Sequence, residues 1–165
     1  MSWRELISGI YESRTPQPGI ADKPEFYPGT SAADIADAEL RLNATFPASL
    51  RSLLLETNGV MDMMAIDGGE WFDSMWLLWT VAEIVEQNLF YRRATDSGTY
   101  DRDFWQLLFF AGAGCDGILF GFPVTEEGVC SPRVVVWHPI MDELDELAPS
   151  LEDFLRGLLT STFSV

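Results

Sequence analysis

The chain has 165 residues, 47% of them hydrophobic, and 26 acidic against 10 basic residues give it a formal net charge of -16. This negative charge argues against nucleic-acid binding, because such binding depends on lysine and arginine side chains that neutralise phosphates. The apolar content excludes a disordered chain, and the apolar runs fall far short of the ~20 residues that span a bilayer. We expect one soluble domain over residues 1–165 and, because the start lacks the pattern of a secretory signal, a cytoplasmic location.

The first third of the chain predicts three helices. Apolar residues at helical spacing between Trp3 and Ile10 predict a helix over residues 2–13. Residues 15–29 are rich in proline and glycine, which predicts an irregular connector within the domain. A capping box from Ser31 to Asp34 opens a second helix, and Pro47 opens a third, which ends at 58–59.

Strand patterns dominate the middle of the chain. Runs at 61–66 and 71–78 flank an Asp-Gly-Gly turn, as in a β-hairpin. A second capping box, from Thr80 to Glu83, opens a helix to about Tyr91, and a polar loop follows at 95–103. The remaining predicted elements are strands near 107–110, 118–122 and 133–137 and a last helix that begins near Ser150.

This order of elements predicts an α+β fold. Helices come first, and short turns join the strands, as in antiparallel pairing. We therefore expect an antiparallel sheet of about four to six strands, with helices packed on one side.

One set of motifs resembles a known family. The set comprises Ala38-Glu39-Leu40-Arg41-Leu42-Asn43, Phe46-Pro47, Leu53 to Gly59, the glycine-rich run 111–117, Val135-Val136-Trp137-His138 and the last helix around Phe154. In this order and spacing the chain resembles the SUKH superfamily of domains of the cell-wall-assembly-regulator type.

The chain departs from that pattern at two places. Asn43 stands where the family often has glycine, which is acceptable because asparagine also adopts the left-handed conformation. Gly121-Phe122-Pro123 stands where an acidic residue often follows the strand. Any function of that position in the family is therefore in doubt here.

The resemblance implies a protein-binding domain. Many members act as immunity proteins that bind and neutralise a partner toxin, often a nuclease. An acidic surface fits such a partner, because complementary fields steer association with a basic protein. The candidate contact residues on the strand side are Asp67, Glu70, Trp71, Asp73, Asp116, Glu126 and Glu127.

Trp71 is the one aromatic residue in that set. It lies beside acidic residues near a predicted turn, where it would serve as an exposed anchor. We expect the tryptophans Trp3, Trp76, Trp79 and Trp137 to belong to the core instead.

Other chemistries have weaker support in the sequence. The run 111–117 lacks the Gly-Lys-Ser/Thr ending of a phosphate loop, so we expect a structural turn at Asp116-Gly117. A lone histidine, His138, is a poor basis for a zinc site, and the acidic runs lack calcium-loop spacing. We therefore expect no metal and no cofactor. Cys115 and Cys130 predict free thiols, although the sequence leaves a disulfide open.

Three functions follow from these observations. The first is a non-catalytic immunity protein, a monomer or weak dimer, whose partner is a basic toxin domain. The second is a regulatory or scaffolding module that binds a protein client and inhibits nothing. The third is a small hydrolase in which Cys115 is the nucleophile and His138 the base.

Overall fold

The computed structural model describes residues 1–163, and this part of the chain holds five α-helices and seven β-strands. Their order is α1 (Trp3–Ser13), β1 (Ile20–Phe26), α2 (Ala32–Leu42), α3 (Ala48–Glu56), β2 (Val60–Ile66), β3 (Phe72–Leu78), α4 (Val81–Asp96), a 3-10 helix (Phe104–Gln106), β4 (Leu107–Gly112), β5 (Leu119–Pro123), β6 (Val134–His138), β7 (Glu143–Ala148) and α5 (Leu151–Leu159).

The strands form two antiparallel sheets. Strands β1-β2-β3 form the N-terminal sheet, and β4-β5-β6-β7 form the C-terminal sheet, each in sequence order. The sheets meet just after β3, where the Trp79 N–H donates to the Phe110 carbonyl at 2.9 Å. The α+β class with antiparallel strands is confirmed, and the structure divides those strands between two sheets.

Helices α4 and α5 pack against opposite faces of the C-terminal sheet. Tyr91 of α4 lies 5.5 Å, between ring centroids, from Trp137 of β6. Phe154 of α5 lies 4.9 Å from Phe120, which pairs with Val136, the neighbour of Trp137. Because side chains alternate along a strand, the two helices cover different faces. The sheet is therefore buried on both sides, not on one.

The prediction for the proline-rich segment 15–29 was wrong. We expected an irregular connector, but β1 occupies its centre and pairs with β2 from Ile20↔Ile66 to Phe26↔Val60. Pro24 is compatible with the strand because β1 is an edge, where a missing N–H on the open side breaks no ladder bond. The pairing partner, not the local sequence, makes this segment a strand.

The predicted helix ends are largely confirmed. The Ser31 hydroxyl accepts from the Asp34 N–H, and the Thr80 hydroxyl accepts from the Glu83 N–H. Asn43 ends α2 in the left-handed conformation, with a φ of 47°. Helix α4 runs to Asp96, past the predicted end near Tyr91.

Polar side chains of the sequence motif around α2 and α3 form hydrogen bonds where one helix ends and the next begins. The Glu39 carboxylate accepts from the Phe46 N–H at 2.8 Å and from the Arg51 guanidinium at 3.2 Å. The Asn58 side chain accepts from the Val81 N–H at 2.8 Å, which ties the end of α3 to the start of α4. These residues therefore fix the arrangement of three helices.

Two buried polar side chains attach α4 to the rest of the core. The Asn88 amide donates to the Phe109 carbonyl at 2.7 Å and accepts from the Phe109 N–H at 2.8 Å. The Arg92 guanidinium donates to the Leu42 and Leu107 carbonyls. Burial lowers the pKa of Arg92. Because both side chains bond to backbone groups, α4 is held at a fixed position against α2 and β4.

We expect Asn88→Ala to destabilise the protein strongly. The change leaves the N–H and C=O of Phe109 without partners, and a buried unpaired polar group costs about 1–3 kcal/mol. The free energy of unfolding should therefore fall by about 2–4 kcal/mol in urea titrations.

The control is Gln87→Ala on the same helix. The Gln87 amide bonds to the Glu83 side chain, not to the sheet, so its loss should cost less than about 0.5 kcal/mol. Equal losses in the two variants would show that Asn88 has no special role.

A second prediction concerns Asp62, which accepts from the Tyr11 hydroxyl at 2.5 Å. Burial raises the pKa of Asp62, although the Tyr11 hydrogen bond acts in the opposite direction. A raised pKa in the folded state means that the protonated acid stabilises the fold at low pH, and that this stability is lost as pH rises. Asp62→Asn keeps an acceptor and removes the titration. The stability of the variant relative to the wild type should therefore increase from pH ~4, near the ordinary aspartate pKa, to pH ~8.

Urea unfolding at several pH values measures this difference. Asp37→Asn, at an exposed position on α2, is the control and should show no such increase. A difference between Asp62→Asn and wild type that stays constant over this range would contradict the prediction.

Candidate functional site: an acidic cleft between the two sheets

A cleft of about 490 Å³ lies between β3 and the turn that joins β4 to β5. The N-terminal sheet contributes Met61, Asp73 and Trp76, and the turn contributes Cys115 and Asp116. Each sheet thus supplies one carboxylate. The cleft exists only in the folded chain, because its two walls come from separate sheets.

The turn over the cleft has a tightly folded backbone. Gly114, Asp116 and Gly117 all have positive φ values, of 77°, 52° and 69°. A Cβ added at Gly114 would lie 3.7 Å from the Ser74 carbonyl oxygen, so the turn approaches β3 closely. The glycine-rich run is therefore a structural turn between two strands, as the sequence predicted, and it places Asp116 at the rim of the cleft.

The wall of the cleft is aromatic and apolar. The half-buried Trp76 ring lies against Tyr27, with ring centroids 5.5 Å apart, and Trp79 is only 7% exposed. Asp73 and Asp116 at the rim are exposed. An apolar wall beneath carboxylates suits a lysine or arginine side chain, because such a side chain joins an apolar stem to a cationic head.

The other predicted tryptophan positions are partly confirmed. Trp137 is fully buried and Trp79 nearly so, as expected of core residues. Trp3 and Trp76 are only half-buried. Trp71 is 43% exposed, as predicted, and the Lys23 Nζ lies 4.2 Å from the centre of its ring.

Three further predicted contact residues lie at the β2–β3 hairpin. Asp67 has a φ of 50°, and its N–H donates to the Gly19 carbonyl at 2.7 Å. Glu70 and Trp71 follow in the same connection and are exposed. This connection leads into β3, which carries Asp73, but its three residues do not themselves line the cleft.

Glu126 and Glu127 lie in the connection between β5 and β6. The Thr45 N–H donates to the Gly128 carbonyl at 2.7 Å, which places this connection against the chain that follows α2. Neither glutamate lines the cleft. The structure thus brings Asp73 and Asp116 together at the cleft, whereas Glu126 and Glu127 lie outside it.

Sequence reasoning missed Met61, Met75 and Trp76 as part of the cleft wall. Their spacing marks them as strand residues, and that prediction is right. Which of them face a gap between two sheets depends on how the sheets separate, which no local pattern encodes.

The residues of the hydrolase hypothesis lie in different elements. Cys115 is exposed in the turn and Cys130 is buried, and both thiols are free. Burial raises the pKa of Cys130 to about 12, so this thiol stays protonated at neutral pH. Within residues 1–163 no hydrogen bond joins Cys115 to His138, which ends β6.

Two other features concern metals and membranes. In the described part of the chain, no three histidine, cysteine or acidic side chains are grouped so that they could hold a metal ion. No helix there combines the length and the apolar character that crossing a bilayer requires.

Comparison with known proteins identifies the family. None of the curated proteins matches the chain significantly. The model of the SMI1 / KNR4 family (SUKH-1) matches residues 29–157, from the residues just before α2 to the last turns of α5. Helix α1 and strand β1 precede the matched region. The match covers most of the chain and includes the α2–α3 motif, both walls of the cleft and the whole C-terminal sheet, so the chain belongs to the SMI1 / KNR4 family (SUKH-1).

Proposed function

We propose that this chain is an immunity protein that binds and neutralises a basic toxin, with nucleases as the first class to test. Family membership fits a protein-binding domain of this type. The observation that carries the proposal is the cleft, in which Asp73 and Asp116 stand over an apolar wall on a chain of net charge -16. Such a site suits a basic protein and is poorly suited to a nucleic acid.

The mechanism is occlusion of the toxin's own binding surface. A lysine or arginine of the toxin enters the cleft, its stem against Met61 and Trp76 and its head between Asp73 and Asp116. The carboxylates thus occupy the positions where the toxin would hold phosphates. No catalytic step by this chain is needed.

The full contact surface extends beyond the cleft. A stable interface of this kind buries about 1,600 Å² in total, more than a single cleft supplies. The exposed Asp67, Glu70 and Trp71 at the β2–β3 hairpin extend the surface along the N-terminal sheet. Glu126 and Glu127 strengthen the negative field that steers the encounter. We place this encounter in the cytoplasm, where a reducing environment keeps both thiols free.

We expect removal of the two cleft charges to slow association with the toxin. Asp73→Asn combined with Asp116→Asn removes both carboxylates, and asparagine tolerates the left-handed backbone at position 116. The association rate constant should fall about fivefold at low salt. The difference should shrink above 0.15 M ionic strength, where the screening length is about 8 Å.

Stopped-flow tryptophan fluorescence measures these rates. The matched control is Asp37→Asn with Glu86→Gln, which removes two exposed charges that do not line the cleft. Equal slowing by both pairs would mean that net charge, not the cleft, steers binding. An unchanged rate in the cleft variant would place the contact surface elsewhere.

The function itself is tested in a host that expresses the product of the neighbouring reading frame. We expect that product to be toxic, and co-expression of this chain to restore growth and yield a stable complex on size exclusion. A stable complex that does not restore growth would favour the scaffolding module instead. Toxicity without complex formation would contradict the proposal.

A further inference from the structure

Strand β7 is an open edge of the C-terminal sheet. It pairs with β6 on one side, and in the described part of the chain no strand pairs with its other side. Residues Glu143 to Glu146 are all exposed. An edge strand of this kind presents unpaired N–H and C=O groups to solvent.

The outer edge of the other sheet is different. Strand β1 contains Pro24 at its centre, which removes a backbone donor and obstructs an added strand. Its Asp22 side chain is also held in a salt bridge with Arg14 at 2.6 Å. Strand β7 contains no proline. Of the two outer edges, β7 is therefore the one suited to accept another strand.

The negative charge on β7 indicates that the partner strand is basic. Glu143 and Asp145 point to one face of the sheet and Glu146 to the other, because side chains alternate along a strand. Arg133 pairs with Glu146 at 2.7 Å, so Glu143 and Asp145 dominate the field at this edge. A second copy of the chain would bring like charges together, which is unfavourable in cross-strand pairs. A strand rich in lysine or arginine meets opposite charges.

The turn before β7 adds apolar area and rigidity. Ile140 and Met141 are 81% and 66% exposed. Asp142, which follows them, accepts from the Trp137 indole N–H at 2.8 Å and from the Arg102 guanidinium at 2.6 Å. The start of β7 is thus fixed before any partner binds, which lowers the entropic cost of association.

We propose that β7 binds an extended lysine- or arginine-rich segment of a partner protein, which joins the C-terminal sheet as a fifth strand. Backbone hydrogen bonds supply affinity in this mode, and alternate side chains supply specificity. The site is separate from the cleft, so it stands or falls independently of the proposed toxin contact.

The probe is a synthetic octapeptide of alternating lysine and valine, titrated against the full chain by fluorescence anisotropy. A matched peptide carries N-methyl groups on alternate amides, which keep its charge but remove donors and block close pairing. We expect the unmethylated peptide to bind about tenfold more tightly, a difference of 1.4 kcal/mol. Amide exchange in its complex should slow in β7 and not in β1.

Charge reversal on β7 provides the second test. Glu143→Lys with Asp145→Lys should weaken binding of the unmethylated peptide about tenfold. Asp37→Lys with Glu86→Lys makes the same change in net charge on the helices and should weaken it less than about twofold. Circular dichroism verifies that each variant folds. If the β7 variant fails to fold, the two peptides on the wild-type chain still decide the question.

Several outcomes would overturn the proposal. Equal affinity for both peptides would mean that the acidic surface attracts cations without strand pairing. Slowed exchange in β1 alone would assign the strand to the other edge. Self-association of the free chain through β7, seen in sedimentation, would mean that the edge accepts a second copy. Absence of peptide binding would leave the acidic residues with the single role of preventing aggregation.

Discussion

The arrangement of the two sheets depends on one buried amide, that of Asn88. Strand β4 pairs with β5 on one side, with a register shift at Phe110, and the Phe110 carbonyl accepts from the Trp79 N–H at the end of β3. Beside that bond, Asn88 pairs with both the N–H and the C=O of Phe109, as a neighbouring strand would. The sheets can therefore separate without leaving these buried backbone groups unpaired. On the other side of the Trp79–Phe110 bond, the same separation opens the acidic cleft.

The residues that identify the family are structural, and the residues proposed to bind a partner are not. Glu39 and Asn58 bond to backbone N–H groups at helix junctions, so almost any substitution there would disturb the fold. Asp73 and Asp116 are exposed, so replacing either by asparagine, which tolerates the left-handed backbone at position 116, costs the fold little. Family membership therefore defines the scaffold firmly, whereas the residues proposed to bind a partner lie at exposed positions outside the junctions that hold that scaffold together.

Sequence reasoning succeeded where local chemistry decides the structure. The caps at Ser31 and Thr80 and the left-handed Asn43 follow from side chain to backbone bonds within a few residues. It failed at β1, in the proline-rich segment, and it missed β7, in an acidic run where no strand was predicted. Both are edge strands with little apolar alternation, so each is a strand because its neighbour pairs with it. The cleft was beyond prediction for a related reason, since its walls depend on the distance between two sheets.

The contact between Lys23 and Trp71 places the one lysine of the chain beside an exposed indole. Lys23 is the only lysine in the chain, and its ammonium lies over an exposed indole at the hairpin of the N-terminal sheet. Acylation of that amine would remove its positive charge, and with it the attraction to the ring. An amine-directed reagent would therefore modify one lysine side chain, and the nearby indole fluorescence would report the event. Lys23 is thus a labelling site and Trp71 its fluorescent reporter, and both lie in the part of the fold that forms one wall of the cleft.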